Sequence, residues 1–261
     1  MGTHEFRRGR SPCPGPGRGT VIKETGGPVT EKRKTVALCL LVMNERRGCE
    51  HDVPLIKREA FDEVFAVDGN STDGTVEYLE AEGIPVHQQP EKGYSAGCCH
   101  GFRMCKSDAL VFYFPTGSVP VEETLKFQAY FDAGADLVIT SRNMKGARNE
   151  EDVSFLRPRK WFVLGLSLLT ALLWRREGPV VWDVLHGFRG MTAEAFKRIG
   201  PRDTGVSIDL EMIARAYKMG LAIEQFPTSE AGRIEGATHF PAFKTGSRLL
   251  GYLCREILRR D

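Results

Sequence analysis

No two of the seven cysteines (Cys13, Cys39, Cys49, Cys98, Cys99, Cys105 and Cys254) stand in a Cys-x-x-Cys pair, and none joins a Cys/His cluster at zinc spacing. Their number is odd, so reduced thiols in a cytosolic protein are the simplest account. Cys39 and the Cys98/Cys99/Cys105 group lie in apolar patterns and are expected as small buried hydrophobes. A charge excess is missing too. The 36 Lys and Arg against 34 Asp and Glu leave a net charge of +2 over 261 residues, which does not suggest a general nucleic-acid binder. No secretory leader opens the chain, because residues 1–20 are rich in Arg, Gly and Pro and contain no apolar core segment. Phe6 stands where a myristoylation signal needs Ser or Thr. No apolar run reaches the ~20 residues that span a bilayer, and no internal repeat is visible.

What is there reads as one large α/β domain behind a disordered tail at residues 1–34. At 41% hydrophobic and 27% charged the composition is that of an ordinary soluble chain. Basic residues gather at the ends: eight Lys/Arg against three Glu in residues 1–35, and five against two acidic residues in the last eighteen. Such ends are solvated tails or contacts with an anionic surface.

The run TVALCLLVM (35–43) is continuously apolar with β-branched members, as in a strand buried on both faces. EVFAVDG (63–69), IPVHQQP (84–90), ALVFYFP (109–115), ADLVITSR (135–142) and LAIEQFP (221–227) predict further strands. TDGTVEYLEAEG (72–83), GYSAGCCHGFRMCK (93–106), VEETLKFQAYFDAG (121–134) and SIDLEMIARAYKMG (207–220) carry helical spacing between them. Strands alternating with helices imply crossovers and a mostly parallel sheet. In such sheets ligands sit at the carboxyl ends of the strands. Three loops fall there: NERRG after the first strand, DGNSTDGT after the second, and PTGSVP after ALVFYF.

KWFVLGLSLLTALLW (160–174) is apolar on nearly all sides and flanked by Arg157, Arg159, Lys160, Arg175 and Arg176. As a helix its 15 residues would reach roughly 22 Å. It reads either as a helix packed in the core or a dimer interface, or as one lying on an anionic membrane.

Asp68 closes the second strand and can accept hydrogen bonds from a base or from ribose hydroxyls, and Asp73 can cap the turn or the helix after it. The bland alternative is an Asx-rich strand–helix turn. The nonapeptide VDGNSTDGT (67–75) resembles the second-strand motif of family-2 glycosyltransferases, which have the GT-A nucleotide-sugar-binding fold. MNERRG is similar to their first-strand loop, with Val42 in place of the usual proline. PEKGYSAGCCHGF (90–102), TSRNMKGARNEEDVSFLRPRKW (140–161), WDVLHGFRGMTAEAF (182–196), IDLEMIARAYKMG (208–220) and GRIEGATHFPAFKTG (232–246) follow in the order found in the branch that contains dolichyl-phosphate mannose synthases.

The resemblance implies an α/β GT-A fold: a mostly parallel sheet flanked by helices, with a helical C-terminal part. Residues 35–142 would form the nucleotide-sugar half, and residues 143–261 an acceptor-binding, membrane-associating part of the same domain. The activity implied is transfer of a hexose from a UDP- or GDP-sugar to polyprenyl phosphate with inversion, by a cytoplasmic protein held peripherally at the inner face of the membrane. The alternatives are a soluble hydroxyl acceptor or a nucleotide-sugar-binding protein without catalysis. Asn44, Glu45, Asp68 and Asp73 would line the nucleotide pocket, and Arg233 and His239 would reach the donor diphosphate. Arg142 and Arg157 would hold an acceptor phosphate, for which Arg offers bidentate donors and a permanent charge. For Arg157 an ion pair with Glu150, Glu151 or Asp152 is the alternative. Asp183, Asp209 and Glu211 are the carboxylates in family positions, with Asp183 and Asp209 ahead as catalytic groups. A hydroxyl acceptor would need one of them as base, whereas a phosphate oxygen is already anionic.

The resemblance also places FPTGSVP (114–120) on the Asp-x-Asp loop, where carboxylates hold Mg²⁺ or Mn²⁺ against the diphosphate. This stretch has no carboxylate. Thr116, Gly117 and Ser118 stand there instead, so no resident metal is expected, only an ion brought by the substrate. A turn of small residues can point backbone N–H groups at a phosphate, and a helix starting near Val121 would add a positive dipole end. Lys92, Arg103 or Lys244 could supply compensating charge.

Overall fold

The computed structural model describes residues 33–149, 152, 157–201, 205, 207–234 and 242–259. Residues 33 onward form one compact unit. Its sheet has seven strands: β1 (Val36–Val42), β2 (Glu63–Asp68), β3 (Val86–Gln88), β4 (Ala109–Tyr113), β5 (Leu137–Ser141), β6 (Arg189–Thr192) and β7 (Ile223–Pro227), in the order β3-β2-β1-β4-β6-β5-β7. β1 pairs in parallel with β2 and β4, and β5 with β7; only β6 runs antiparallel, between β4 and β5. The sheet therefore draws five strands from residues 35–142 and two from the remainder.

Burial on both faces explains the continuous apolar runs. Cys39 and Leu41 of β1 pack into one core with Phe65, Leu110, Phe112 and Ile139, while Leu38, Leu40 and Val42 pack into the other with Val111, Tyr113 and Val138. The helices α1 (Arg46–Asp52), α2 (Thr75–Ala81), α3 (Tyr94–Met104), α4 (Phe127–Asp132), α5 (Pro158–Trp174), α6 (Ala193–Ile199), α7 (Ile208–Lys218) and α8 (Ala242–Leu258) cover these faces. Leu79 of α2 and Phe127 and Phe131 of α4 fill the second core; Cys98 and Cys99 of α3 and most of α7 fill the first. Two expectations change here. The helix expected over 121–134 begins as a 3-10 helix at Val121–Lys126 and becomes α-helical only at Phe127, so the 114–120 loop runs into a 3-10 turn and not into an α-helix N-terminus.

The second change is β6, four residues that no alternating pattern announces. It contains Gly190, where a Cβ would come within 2.9 Å of the Phe131 ring and 3.0 Å of Phe127 and Val111. Close packing at the sheet centre, not β propensity, selects the residue there. Because β6 is reversed, the segment leading into it, Asp183–Phe188, arrives at the same edge as the carboxyl ends of β4 and β5. The chain leaves β1 towards β2 and β3 and returns to β4 on its other side, which puts the topological switch point, the place where sheets of this kind form a ligand crevice, between the ends of β1 and β4.

Candidate active site

Three groups of residues meet along this edge. In the first, the loops after β1 and β2 are bonded to each other. The Asn44 main-chain N–H donates to Ser71 Oγ (2.8 Å), its side-chain oxygen accepts from the Thr72 N–H (2.8 Å), and the Arg46 N–H donates to Asp73 (3.0 Å). Asn44 adopts φ +55°, a conformation that Asn tolerates better than most residues. Asp68 is fully buried, and its carboxylate accepts from the N–H groups of Asn70 (2.8 Å) and Ser71 (3.0 Å), from Ser71 Oγ (2.5 Å) and from Gln88 Nε2 (3.0 Å). Asp73 also accepts from Thr75 Oγ1 (2.5 Å) and the Thr75 N–H (3.0 Å). Partial burial alone would raise its pKa, but these hydrogen bonds outweigh it and hold the carboxyl below its usual range. Asp68 and Asp73 thus shape the loops with their own oxygens.

The second group is the 114–120 loop. Thr116 and Ser118 are buried and their hydroxyls pair at 2.7 Å. The expectation that the turn offers its N–H groups to a phosphate fails at Gly117, whose N–H donates to Asp52 Oδ2 (2.9 Å), an acceptor shared with the Tyr113 hydroxyl (3.0 Å). Asp52, at the end of α1, is itself buried, and its other oxygen meets His51 Nδ1 at 2.8 Å. α1 can come this close because position 48 is glycine: a Cβ there would lie 2.0 Å from the Pro115 carbonyl oxygen. The segment 231–234 is hydrogen-bonded to the loop. Its Ala231 N–H donates to Ser118 O (2.8 Å) and its Ile234 N–H to Thr116 O (3.1 Å). Between them, Arg233 reaches back to pair with Glu45. His239 lies outside the described residues, as do Glu150 and Glu151.

The third group is ionic. Arg142 donates Nε to Asp183 Oδ2 (2.7 Å), Nη2 to Asp183 Oδ1 (3.0 Å) and Nη1 to Glu230 Oε2 (2.8 Å). All three guanidinium nitrogens are thereby engaged by carboxylates, which is not the open fork that an acceptor phosphate would meet. Burial pushes the Asp183 carboxyl up, but the Arg142 charge more than reverses this and leaves it low. His186, bonded to Thr140 Oγ1 (2.6 Å), is pushed down to about 4, first by burial and then by Arg142, so it is neutral at pH 7. Asp209 behaves oppositely. It accepts from the Tyr94 hydroxyl (2.9 Å) and lies 3.3 Å from Arg189 Nε, yet burial prevails and its carboxyl is raised. Arg189, fully buried, relies instead on the carbonyls of His186, Val184 and Asp209. Glu211 stands apart, paired with Arg215 one turn on (2.5 Å).

Arg157 takes the ion-pair alternative: it lies 3.0 Å from Asp152, which Lys160 shares at 2.5 Å. Beside the loop, a cleft of about 940 Å³ is lined by His51, Gly117–Glu122, Arg148, Asn149, Arg159 and Ser229–Gly232. Asp52, Tyr94, Arg189 and Glu230 are the site residues that sequence reasoning missed. Tyr94 and Arg189 lay inside quoted motifs, but Asp52 and Glu230 are marked only by what they touch.

A family model described as glycosyl transferase family 2 matches residues 55–200. The chain belongs to this family. Two curated proteins of Haloferax volcanii are similar to it. The low-salt glycan biosynthesis hexosyltransferase Agl6 is 25% identical over 225 residues, 84% of this chain and 53% of its own. The glycosyltransferase AglJ is 24% identical over 231 residues, 86% of this chain and 72% of its own. The chain thus spans about half the length of the first of these relatives. Among solved structures, glucosyl-3-phosphoglycerate synthase from Mycobacterium tuberculosis in complex with UDP superposes with a TM-score of 0.67 at 18% identity, over 87% of this chain and 82% of that one. The same enzyme with Mn²⁺, UDP and phosphoglyceric acid gives 0.65 at 18% identity, over 87% and 80%. At that identity the likeness establishes the GT-A-type fold.

Among the described residues, the donors on the 114–120 loop do not fit a resident divalent ion. The two loop hydroxyls bond each other, and the nearest carboxylate, Asp52, already receives Gly117, Tyr113 and His51. Among the described residues no group of three or more His, Cys, Asp or Glu is arranged to hold a metal.

Proposed function

We propose that this family-2 glycosyltransferase moves a hexose from a UDP- or GDP-sugar to a polyprenyl phosphate, in the manner of the dolichyl-phosphate mannose synthase branch. The observation that carries the reading is the crevice between β1 and β4. It is framed by the bonded 44–46 and 68–75 loops and overlaid by the segment that carries Arg233. The acceptor oxygen attacks the anomeric carbon opposite the diphosphate. A new C–O bond forms as the bond to the diphosphate oxygen breaks, the configuration inverts, and the nucleoside diphosphate leaves beside Arg233. A phosphate oxygen needs no base. Any divalent ion arrives with the diphosphate.

Two features support a lipid phosphate. The cleft beside the 114–120 loop has Arg148 and, at the start of α5, Arg159 on its wall. Along α5, Val163, Leu166, Ser167, Thr170 and Ala171 face inward, while Trp161, Phe162, Leu168, Leu169 and Leu172 are exposed, Leu172 at 84%. No described helix is long and apolar enough to cross a membrane. An exposed apolar face with Arg159, Arg175 and Arg176 at its ends suits an anionic bilayer surface. A second reading, a soluble hydroxyl acceptor, draws on Asp209, whose raised carboxyl beside Tyr94 suits a general base.

Incubation with radiolabelled UDP- and GDP-hexoses, with and without polyprenyl phosphate, tests the reading. Label in the lipid phase supports it; label only in water-soluble glycosides moves the protein to the second reading. Replacing Trp161, Leu168 and Leu172 with Ser should abolish sedimentation with anionic vesicles at low salt. If the unaltered protein does not sediment and light scattering shows a dimer that these changes dissolve, the face joins two copies instead.

A further inference from the structure

We propose that Glu45 is a built-in competitor for the donor's diphosphate, holding Arg233 until a nucleoside diphosphate takes it away. The inference rests on the nucleotide-sugar reading of the crevice and adds a control on it. Glu45 sits at the start of α1, in the first donor loop, and its carboxylate pairs with the Arg233 guanidinium across the opening. The main chain around Arg233 is fixed. Ala231 and Ile234 donate to the carbonyls on either side of Gly117, and the Ile234 side chain covers Gly117 so closely that a Cβ would sit 2.1 Å from it. Gly117 has φ +69°, so a side chain there would be strained on both counts.

The segment is thus pinned, and the movable part is the long Arg233 side chain. One of its donors, Nε–H, is buried with no partner, although the head group faces a carboxylate. A diphosphate offers several oxygens and more than one negative charge, and so satisfies a bidentate guanidinium better than one carboxylate does. The exchange leaves the backbone in place and costs the Glu45 contact. Donor affinity is therefore set by a difference between two anions competing for one cation, and the free protein is held in a paired, donor-excluding state.

Calorimetry of UDP and GDP binding tests this, with uridine and guanosine as uncharged controls. Glu45→Gln should tighten diphosphate binding about three- to tenfold, and by clearly more than it changes nucleoside binding. Glu45→Asp, which keeps the charge but shortens the reach, should tighten it in the same direction. In an Arg233→Ala background, itself weaker, the gain from Glu45→Gln should vanish. An equal gain in that background would make Glu45 a plain repulsive charge and overturn the proposal. Unchanged or weaker binding in Glu45→Gln, with the native protein binding normally, would overturn it while the nucleotide reading stands. Failure of the native protein to bind either diphosphate would remove both.

Discussion

At the end of the site built by the loops after β1 and β2, proposed as the donor end, Asp68 and Asp73 face neutral partners: main-chain N–H groups, two hydroxyls and one amide. At the other end Asp183 and Glu230 enclose Arg142, and Asp209 lies beside a buried Arg189. The same acidic residue type serves as a loop scaffold in one place and as one half of a buried ion pair in the other. A carboxylate bonded to a local turn tolerates water nearby. A buried pair depends on each partner to offset the other's lost hydration. The two ends should therefore respond differently to loss of a single charge.

The largest effect is expected from Arg142→Ala, which leaves the fully buried Asp183 and the partly buried Glu230 without their cation. Breaking such a pair costs roughly 3–5 kcal/mol, measurable as a fall in the denaturation midpoint. The pH dependence follows in sign. Asp183 has a lowered folded-state pKa, so its stabilisation is present above the unfolded value near 3.9 and is lost as pH falls through the folded one. Arg142→Ala should therefore lose most stability at neutral pH and much less at acidic pH. A uniform loss would place the Arg142 contribution in packing instead of charge.

Asp209→Asn sharpens the comparison inside the ionic end. Its carboxyl is raised in the fold, so ionisation opposes folding at neutral pH and acidification relieves that cost. Arg189 keeps its carbonyl partners after the change. The stability loss should be small, about 1 kcal/mol. With a lipid-phosphate acceptor kcat should fall less than tenfold. A fall of roughly 10² to 10⁴, the scale of a lost general base, would assign a hydroxyl acceptor and make Asp209 its base.

The two ends also differ in how far the sequence reveals them. Asp68, Ser71, Asp73 and Thr75 lie within eight residues, and a strand followed by an Asx-rich turn shows itself in the order of letters. The first and second loops meet because parallel neighbours β1 and β2 end together. The ionic end joins residues 41 and 88 positions apart: reversed β6 brings in Asp183, and β7, the parallel neighbour of β5, brings in Glu230. RGMT carries no alternation, because its central glycine answers to two phenylalanines from another helix. Asp52 was hidden for a related reason: its meaning is the N–H it receives, 65 residues on. The apolar character of α5 was legible in full, whereas which face turns outward was not.

At the donor end, Asp68→Ala should act on the turn before it acts on anything else. Four donors lose their acceptor in a fully buried position, for a stability cost of about 1–3 kcal/mol. Nucleoside diphosphate binding should weaken about tenfold because the loop no longer holds its shape. Calorimetry with the isolated nucleoside separates causes: an equal loss for the nucleoside points to loop shape, and a loss confined to the diphosphate to charge.

The smallest effect is expected from removing divalent metal. With Thr116, Gly117 and Ser118 on the loop and Asp52 already receiving three donors, the chain has little to anchor such an ion, and what binds with the donor is held by the diphosphate. UDP or GDP affinity measured with Mn²⁺ and again with EDTA should then differ by less than tenfold. Ser118→Asp should not improve it: a single carboxylate cannot rebuild a coordination shell, and its charge would repel the diphosphate. This sets the loop apart from the Arg142 ion pair, where removal of one charge is worth roughly 3–5 kcal/mol. A hundredfold loss in EDTA, about 2.7 kcal/mol, would reverse that contrast and show a metal site in this protein, with Asp183 and His239 the first residues to replace in locating it.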